Sequence, residues 1–381
     1  MQALITAPGS TAIVASVPIP QAGLNEIRIK VHSIALNPVD ALYAITTQVD
    51  APGRVIGSDI AGYIDQVGEG VPEGKWRIGD RVAGLLQGAT SANPRPGGFA
   101  TYAILEADLA IRIPNDVSFD EAATSPLCGL TAAQALYDRL RLPAPFLFPE
   151  SKYKPSKDNA KPTLLIYSAS TSLGLFTLEL ARLLRTPYGE PYSIIVTASP
   201  KHHEKMKALG ADAVYDYNDS TWADRVKAEW PEGIDYAVDC ISEGPTTGII
   251  SQLFNRRPDA EKRIAVIRSV AWDKDSVRND VTPLYGAVWE GLGHDIVYNA
   301  PPHLRSLTVA FYGWLSAGHT SKTLKLPIAP NPVRLMPGGL ERVLLDGFVL
   351  LGGGDMLSRT SAQREEEYMR PISGEKLVYR V

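Results

Sequence analysis

The sequence predicts an α/β chain in two parts, a strand-rich barrel and a doubly wound parallel sheet, and three observations carry that expectation. The stretch TLLIYSASTSLGLFTLELARLL, residues 163–184, reads as strand, turn and helix, with a second strand, SIIVT, at 193–197. The first 125 or so residues consist instead of short β-branched runs separated by Gly and Pro turns. At 381 residues the chain exceeds what one hydrophobic core normally supports.

Leu164, Leu165, Ile166 and Tyr167 form an unbroken apolar run, which suits a strand covered on both faces. From Leu173 the apolar positions 173, 176, 180, 183 and 184 recur at helical spacing. This is the pattern of the first βαβ unit of a nucleotide-binding sheet, where a helix start offers free N–H groups to a pyrophosphate. Of the usual three glycines only Gly174 remains, and Ser168, Ala169, Ser170, Thr171 and Ser172 fill the turn. Small residues still allow close backbone approach, so Ser170, Thr171, Ser172 and Leu173 are candidate pyrophosphate contacts. An ordinary α/β crossover fits the same letters.

An NAD site usually carries Asp or Glu at the end of the second strand, to hold the ribose 2′-hydroxyl. Here Thr197, Ala198, Ser199, Pro200, Lys201, His202 and His203 stand there. Hydroxyl and cationic groups suit a 2′-phosphate, so Ser199, Lys201 and His202 favour NADPH over NADH; the plainer alternative is a solvated helix face.

Composition narrows the class. Apolar residues make up 45% and charged residues 21%, as in soluble globular proteins. A net charge of −4 without a basic tract argues against a nucleic-acid surface. There is no apolar run of membrane-spanning length, and the opening MQALITAPGS lacks the features of a signal peptide, so a cytoplasmic location is expected. Cys128 and Cys240 are the only cysteines, too few for a disulfide framework or a four-cysteine zinc lobe, and read as small buried apolar residues.

Strands are expected at 12–17, 26–36, 54–67, 80–86, 100–105 and 110–113, together a partly open barrel. Further strands at 213–217, 234–240 and 264–267 continue the parallel sheet, and 304–315 and 338–351 read as helices. The polar, Lys- and Pro-rich stretch 148–162 reads as a connecting loop, with synthase docking as a second reading, and Gly352, Gly353 and Gly354 begin a polar surface loop.

Within the barrel region LNPVD (36–40), GSDIAG (57–62), GDRV (79–82) and GGFATYA (97–103) appear in order, followed by ATSPLCGLTAAQALY (123–137). By these motifs the chain resembles the medium-chain dehydrogenase/reductases, over nearly its whole length. The resemblance implies a GroES-like catalytic domain over 1–160 and 311–381 and a Rossmann NADP-binding domain over 161–310. It also implies a catalytic Cys in the LNPVD loop and Gly-His-Glu at 57–59 for zinc-dependent members; this chain has neither, so it resembles the zinc-independent branch and no metal is expected. PLCGLTAAQALYDRLRLP (126–143), VDCIS (238–242) and SGEKLVYRV (373–381) are most similar to fungal trans-acting enoyl reductases that serve iterative polyketide synthases.

That resemblance implies residue roles. Asn37, Val39, Asp40 and Leu42 would lie by the nicotinamide, as would Thr131; Tyr217, Ile267, Arg268, Val378 and Tyr379 would be further cofactor contacts. Gly129, Leu130, Thr131, Leu284, Tyr285, Gly286 and Trp289 would line the substrate pocket. Read without it, Tyr217 is an aromatic packing at a strand end, Arg268 an exposed charge, Trp289 or Tyr285 part of a subunit contact, and 373–381 an ordinary final strand with alternating Leu377 and Tyr379.

The implied chemistry is hydride transfer from NADPH to the β-carbon of an α,β-unsaturated thioester, with charge building on the thioester oxygen. Family members often carry Lys shortly after NPxD, and here Ala41, Leu42 and Tyr43 follow Asp40. Tyr43 either donates a hydrogen bond as a phenol, with Thr131 as its catalytic companion, or packs against the barrel. The candidate functions are a trans-acting enoyl reductase on a carrier-bound chain, a free-standing quinone or enone reductase, and a non-catalytic cofactor-binding partner of a synthase. The partner expected is a polyketide synthase or its acyl carrier domain, and the chain itself a monomer or homodimer.

Overall fold

A computed structural model describes residues 1–9, 11–45, 52–90, 93–154, 161–258, 260–296, 298–317, 326–352 and 364–381. Residues 155–160 of the 148–162 loop, and the loop from Gly353 through 363, lie outside the described residues. Contacts divide the chain into two units, Met1–Leu130 with Trp289–Val381, and Thr131–Val288.

The first unit is built on strands β1 (Gln2–Ala7), β2 (Thr11–Ser16), β3 (Glu26–Ala35), β4 (Asp59–Val67), β5 (Arg81–Leu85), β6 (Tyr102–Glu106) and β7 (Ala110–Arg112). β1 and β2 form an antiparallel pair, whereas β3 is the spine of the larger sheet. Its alternating burial follows from β-branched residues at every second position: Ile27, Ile29 and Val31 point into the core. Ten residues long, β3 pairs with β4 along one edge; along the other it pairs with β6 through Glu26–Lys30 and with the last strand of the chain through Ser33–Ala35.

In the second unit, β8 (Thr163–Tyr167), β9 (Ser193–Thr197), β10 (Ala213–Tyr215), β11 (Tyr236–Asp239), β12 (Lys262–Val266) and β13 (Val281–Leu284) make an all-parallel sheet in the order β10-β9-β8-β11-β12-β13. The order reverses on either side of β8, which is the switch point where doubly wound sheets carry ligands. Leu165, Ile195, Ala237 and Ile264 fill one face of this sheet together with Trp222 and Phe254.

The chain then returns to the first unit through helix Pro302–Ala317, β14 (Val333–Leu335) and β15 (Lys376–Arg380). β15 lies between β14 and β3, with Tyr379 opposite Ile34 and Val378 opposite Ala35.

Several elements differ from the sequence reading, β1 and β14 not being among the strands expected. β13 falls inside a segment read as pocket lining; Pro283, which has no N–H, is tolerated because β13 is an edge strand. The helix over 338–351 is three joined pieces, Leu340–Arg342, a wide turn Val343–Gly347 and Phe348–Leu351. The change from one unit to the other comes at Thr131 and again at Trp289. Helix Pro126–Ala133 continues into a wide turn, Gln134–Arg139, which packs on β12, and Gln134 Nε2 donates to the Val288 carbonyl at 3.1 Å, so Thr131 onward belongs with the parallel sheet.

Gly57 ends the approach to β4 with φ +103°, and a Cβ there would lie 2.1 Å from the Phe99 ring. Both the backbone and the space therefore demand glycine. Gly57→Ala is expected to destabilise the first unit by on the order of 3 kcal/mol, read as a lower urea midpoint; a wild-type midpoint would contradict this packing.

Candidate functional site

At the switch point the chain leaves β8 through Ser168, whose φ of +60° turns the backbone sharply. The Ser168 N–H donates to Thr197 Oγ1 at 2.8 Å and the Ala169 N–H to the Thr197 carbonyl at 2.8 Å, so β9 pins the turn. Thr171 then caps helix Ser172–Ala181: its hydroxyl accepts from the Gly174 N–H at 3.0 Å and donates to the Ser168 carbonyl at 2.9 Å. A Cβ on Gly174 would sit 2.4 Å from the Ser168 carbonyl oxygen, so this one glycine is what lets the helix start close over the turn. Ser170 and Ser172 are half-buried beside it, and Leu173 is buried.

Beyond β9, Ser199 is half-buried ahead of the short turn Pro200–His202, Lys201 is exposed, and the His203 ring contacts the Ala198 carbonyl at 3.0 Å. Partial burial, reinforced by Lys201 and Lys205, pushes the His202 pKa down, a sign that the local field is positive. Tyr217 is 37% exposed, with its ring 6.4 Å from that of Tyr167. No acidic side chain stands between Thr197 and His203.

At the end of β11, the buried Asp239 accepts from the Ile241 and Ser242 N–H groups and from the hydroxyls of Thr246 and Thr247. Burial raises its pKa against those four bonds, which pull the other way. The Ser242 hydroxyl in turn accepts from the Ile267 N–H at 3.0 Å, and Arg268 pairs with Glu243 at 3.0 Å. Arg268 is thus an ion-paired side chain at the end of β12. Leu284 ends β13, the next residue, Tyr285, is 46% exposed, and Gly286 lies against Arg139, whose guanidinium a Cβ would strike at 2.1 Å. Thr131 is half-buried in the same unit.

The first unit holds a buried polar cluster around LNPVD. Asp40 accepts from the Asn37 N–H at 2.8 Å and from the Ser58 hydroxyl at 2.7 Å. Asn37 Nδ2 donates to Asp59 Oδ2 at 2.9 Å, and the Leu127 N–H, in the first turn of helix Pro126–Ala133, donates to Asp59 Oδ1 at 2.8 Å. Lys376 completes it: Nζ donates to Asp59 Oδ2 at 2.5 Å and to the Thr124 carbonyl at 3.2 Å, and lies 3.9 Å from Cys128 Sγ. All of these side chains are buried. Among the described residues no three His, Cys, Asp or Glu side chains gather as a metal-binding set.

Burial raises the Asp40 pKa to about 7, with the Asp59 charge adding to it and Ser58, the Asn37 N–H and Lys376 opposing. Burial also pushes the Cys128 thiol up, although Lys376 partly offsets it. Lys376 itself is shifted upward: burial disfavours its charge, but Asp59 and the other negative neighbours outweigh that.

Sequence reasoning did not single out Lys376 and Asp59. A signal existed in the period-two alternation of KLVYR: Leu377 and Tyr379 join the core, which sends Lys376, Val378 and Arg380 to the opposite face. Val378 and Tyr379 are fully buried, and the Tyr379 hydroxyl donates to the Arg342 carbonyl at 3.4 Å. The Tyr43 and Trp289 rings meet edge to face at 6.4 Å, and the buried Trp289 Nε1 has no hydrogen-bond partner. Val39 and Leu42 lie on helix Pro38–Ile45, Gly129 faces the Phe311 ring, which a Cβ would touch at 3.6 Å, and Leu130 is buried.

Residues 23–115 match the family model of the alcohol dehydrogenase GroES-like domain. The trans-enoyl reductase phm4 of Pyrenochaetopsis sp is 31% identical over 341 residues, 88% of each chain. The trans-enoyl reductase buaC of Petromyces alliaceus is 30% identical over 390 residues, covering 99% of this chain and 96% of that one. The crystal structure of CurK enoyl reductase superposes with a TM-score of 0.70 over 100% of this chain and 98% of that one, at 20% identity, a likeness of fold.

A carboxyl whose folded pKa is raised keeps its proton in the native state where the unfolded chain has lost it. The stability Asp40 contributes is therefore full below pH 3.8 and lost as pH rises through about 7. Asp40→Asn removes that loss, so its melting temperature relative to wild type is expected to climb from about pH 4 to pH 7 and level off above. A difference that stays constant over that range would show that Asp40 does not titrate there.

Proposed function

This chain belongs to the medium-chain dehydrogenase/reductases, alongside the fungal trans-enoyl reductases, and is an oxidoreductase acting on C=C bonds; from that premise we propose that it uses NADPH to reduce α,β-unsaturated thioesters borne by an iterative polyketide synthase. The observation that carries the choice of cofactor is the end of β9, where Ser199, Lys201 and His202 stand and no carboxylate does. A ribose 2′-phosphate is drawn to that charge, whereas a ribose diol gains nothing from it. Support for action on a synthase-borne chain is the trans-enoyl reductase activity by which phm4 and buaC are known.

The sheet unit fits such a cofactor. Gly174 lets the helix start pack tightly on the turn, and Ser170, Ser172 and Leu173 at the positive end of the helix are the proposed pyrophosphate contacts, with Thr171, whose N–H bonds the Ser168 carbonyl, beside them. Tyr217, Ile267 and Arg268 are further proposed contacts of this unit, as Asn37, Val39, Asp40, Leu42, Val378 and Tyr379 are of the other. When bound, NADPH supplies the hydride that the β-carbon receives.

The protein's part is to orient the thioester and to stabilise negative charge on its oxygen. Tyr43, edge-on to Trp289, is the proposed phenolic donor, and Thr131 the proposed hydroxyl. Gly129, Leu130, Leu284, Tyr285, Gly286 and Trp289 are the proposed substrate contacts.

Two measurements test this reading. The purified chain is expected to consume NADPH with a crotonyl-pantetheine thioester and not with simple quinones; the reverse preference would make it a free-standing quinone reductase, and binding without turnover on either a non-catalytic partner. Lys201→Glu is expected to weaken NADPH by about 10- to 100-fold while changing NADH by less than about 3-fold. Equal losses for the two cofactors would contradict the 2′-phosphate assignment.

A further inference from the structure

Lys376 is the one cation among the described residues that the buried cluster around LNPVD draws on, and it comes from the far end of the chain. Ala41, Leu42 and Tyr43 follow Asp40, so the helix that begins at Pro38 brings no positive charge of its own to the turn. Each of the ammonium's donors has an acceptor: Asp59 Oδ2, the Thr124 carbonyl and Cys128 Sγ. These partners belong to separate stretches, since Asp59 begins β4 while Thr124 and Cys128 flank the start of helix Pro126–Ala133.

Asp59 passes that hold on. Its Oδ1 accepts the Leu127 N–H, and its Oδ2 accepts from both Lys376 Nζ and Asn37 Nδ2. The strand carrying Lys376 also holds the turn directly, because the Leu36 N–H donates to the Leu377 carbonyl at 2.9 Å. With its side chain only 3% exposed, Lys376 does not meet a ligand itself.

We propose that Lys376 is a positioning residue for the reaction: its ammonium fixes Asp59 between the Asn37–Leu42 turn and the first turn of helix Pro126–Ala133, and so sets where Asn37 and Gly129 stand. The consequence for turnover rests on the enoyl reductase reading; the consequence for the turn does not. The titratable groups facing the cluster are Asp40, Asp59 and Cys128, with the buried Tyr312 hydroxyl interacting with Asp59. The ammonium opposes protonation of Asp40, so its removal pushes that protonation to higher pH.

The test uses the full-length chain as wild type, Lys376→Met, and Lys376→Met with Asp59→Asn. The double variant leaves no buried unpaired charge and so folds if the single one does not. Amide hydrogen exchange in the ligand-free protein is expected to quicken by about 10-fold or more over 36–42 and 125–130 in either folded variant, with 163–197 unchanged. In the folded variants kcat for the thioester is expected to fall by about 10-fold or more. Wild-type exchange over both segments, a uniform rise along the chain, or a wild-type kcat would each overturn the positioning role. If the wild type fails to turn over any enoyl thioester, the functional reading falls, and the exchange result still decides what Lys376 does.

Discussion

A single buried carboxylate, Asp59, joins three parts of the first unit that lie far apart in sequence. It receives the Asn37 amide, the Leu127 N–H and the Lys376 ammonium. Pairs of this kind contribute little net stability, because desolvating two charges offsets most of their attraction. Their effect is on geometry: removing either partner leaves a buried charge unpaired, so neither stretch can drift without a large cost. The LNPVD turn and the start of the following helix are fixed in that way, and the last strand of the chain is part of the arrangement rather than an appendage.

The parallel sheet solves a different problem, that of starting a helix tightly against the end of a strand with only one glycine in the turn. Thr171 spends its hydroxyl on capping the helix, and Ser168 takes the left-handed conformation that a glycine would otherwise supply. Gly174 remains because its neighbour is the Ser168 carbonyl, which no side chain could displace. Serine and threonine thus replace glycine where conformation or capping is needed, and not where space is.

Much of this was legible in the sequence, for reasons specific to each element. The apolar run Leu164–Tyr167 has no other use than a strand covered on both faces, and Ile27, Ile29 and Val31 mark β3 by alternation alone. β13 was hidden because Pro283 and the glycines around it read as loop, and only its place at the sheet edge makes a strand there tolerable. The change of unit at Thr131 falls inside helix Pro126–Ala133, where no Pro/Gly linker marks it in the sequence. Lys376 was hidden for the opposite reason: a lysine in a polar-looking ending reads as solvated, and its partner Asp59 lies 317 residues earlier. Asp59 stands out in the sequence only as a departure from a zinc site, a residue type without its role.

The most direct measurement of the account is the fate of label from NADPH deuterated at the reactive position of its nicotinamide, given to the wild-type chain with a crotonyl thioester. Enoyl reduction by hydride transfer puts deuterium at the β-carbon of the saturated product and a solvent-derived proton at the α-carbon. Deuterium reduced onto the carbonyl carbon, or a saturated product carrying none, would contradict it.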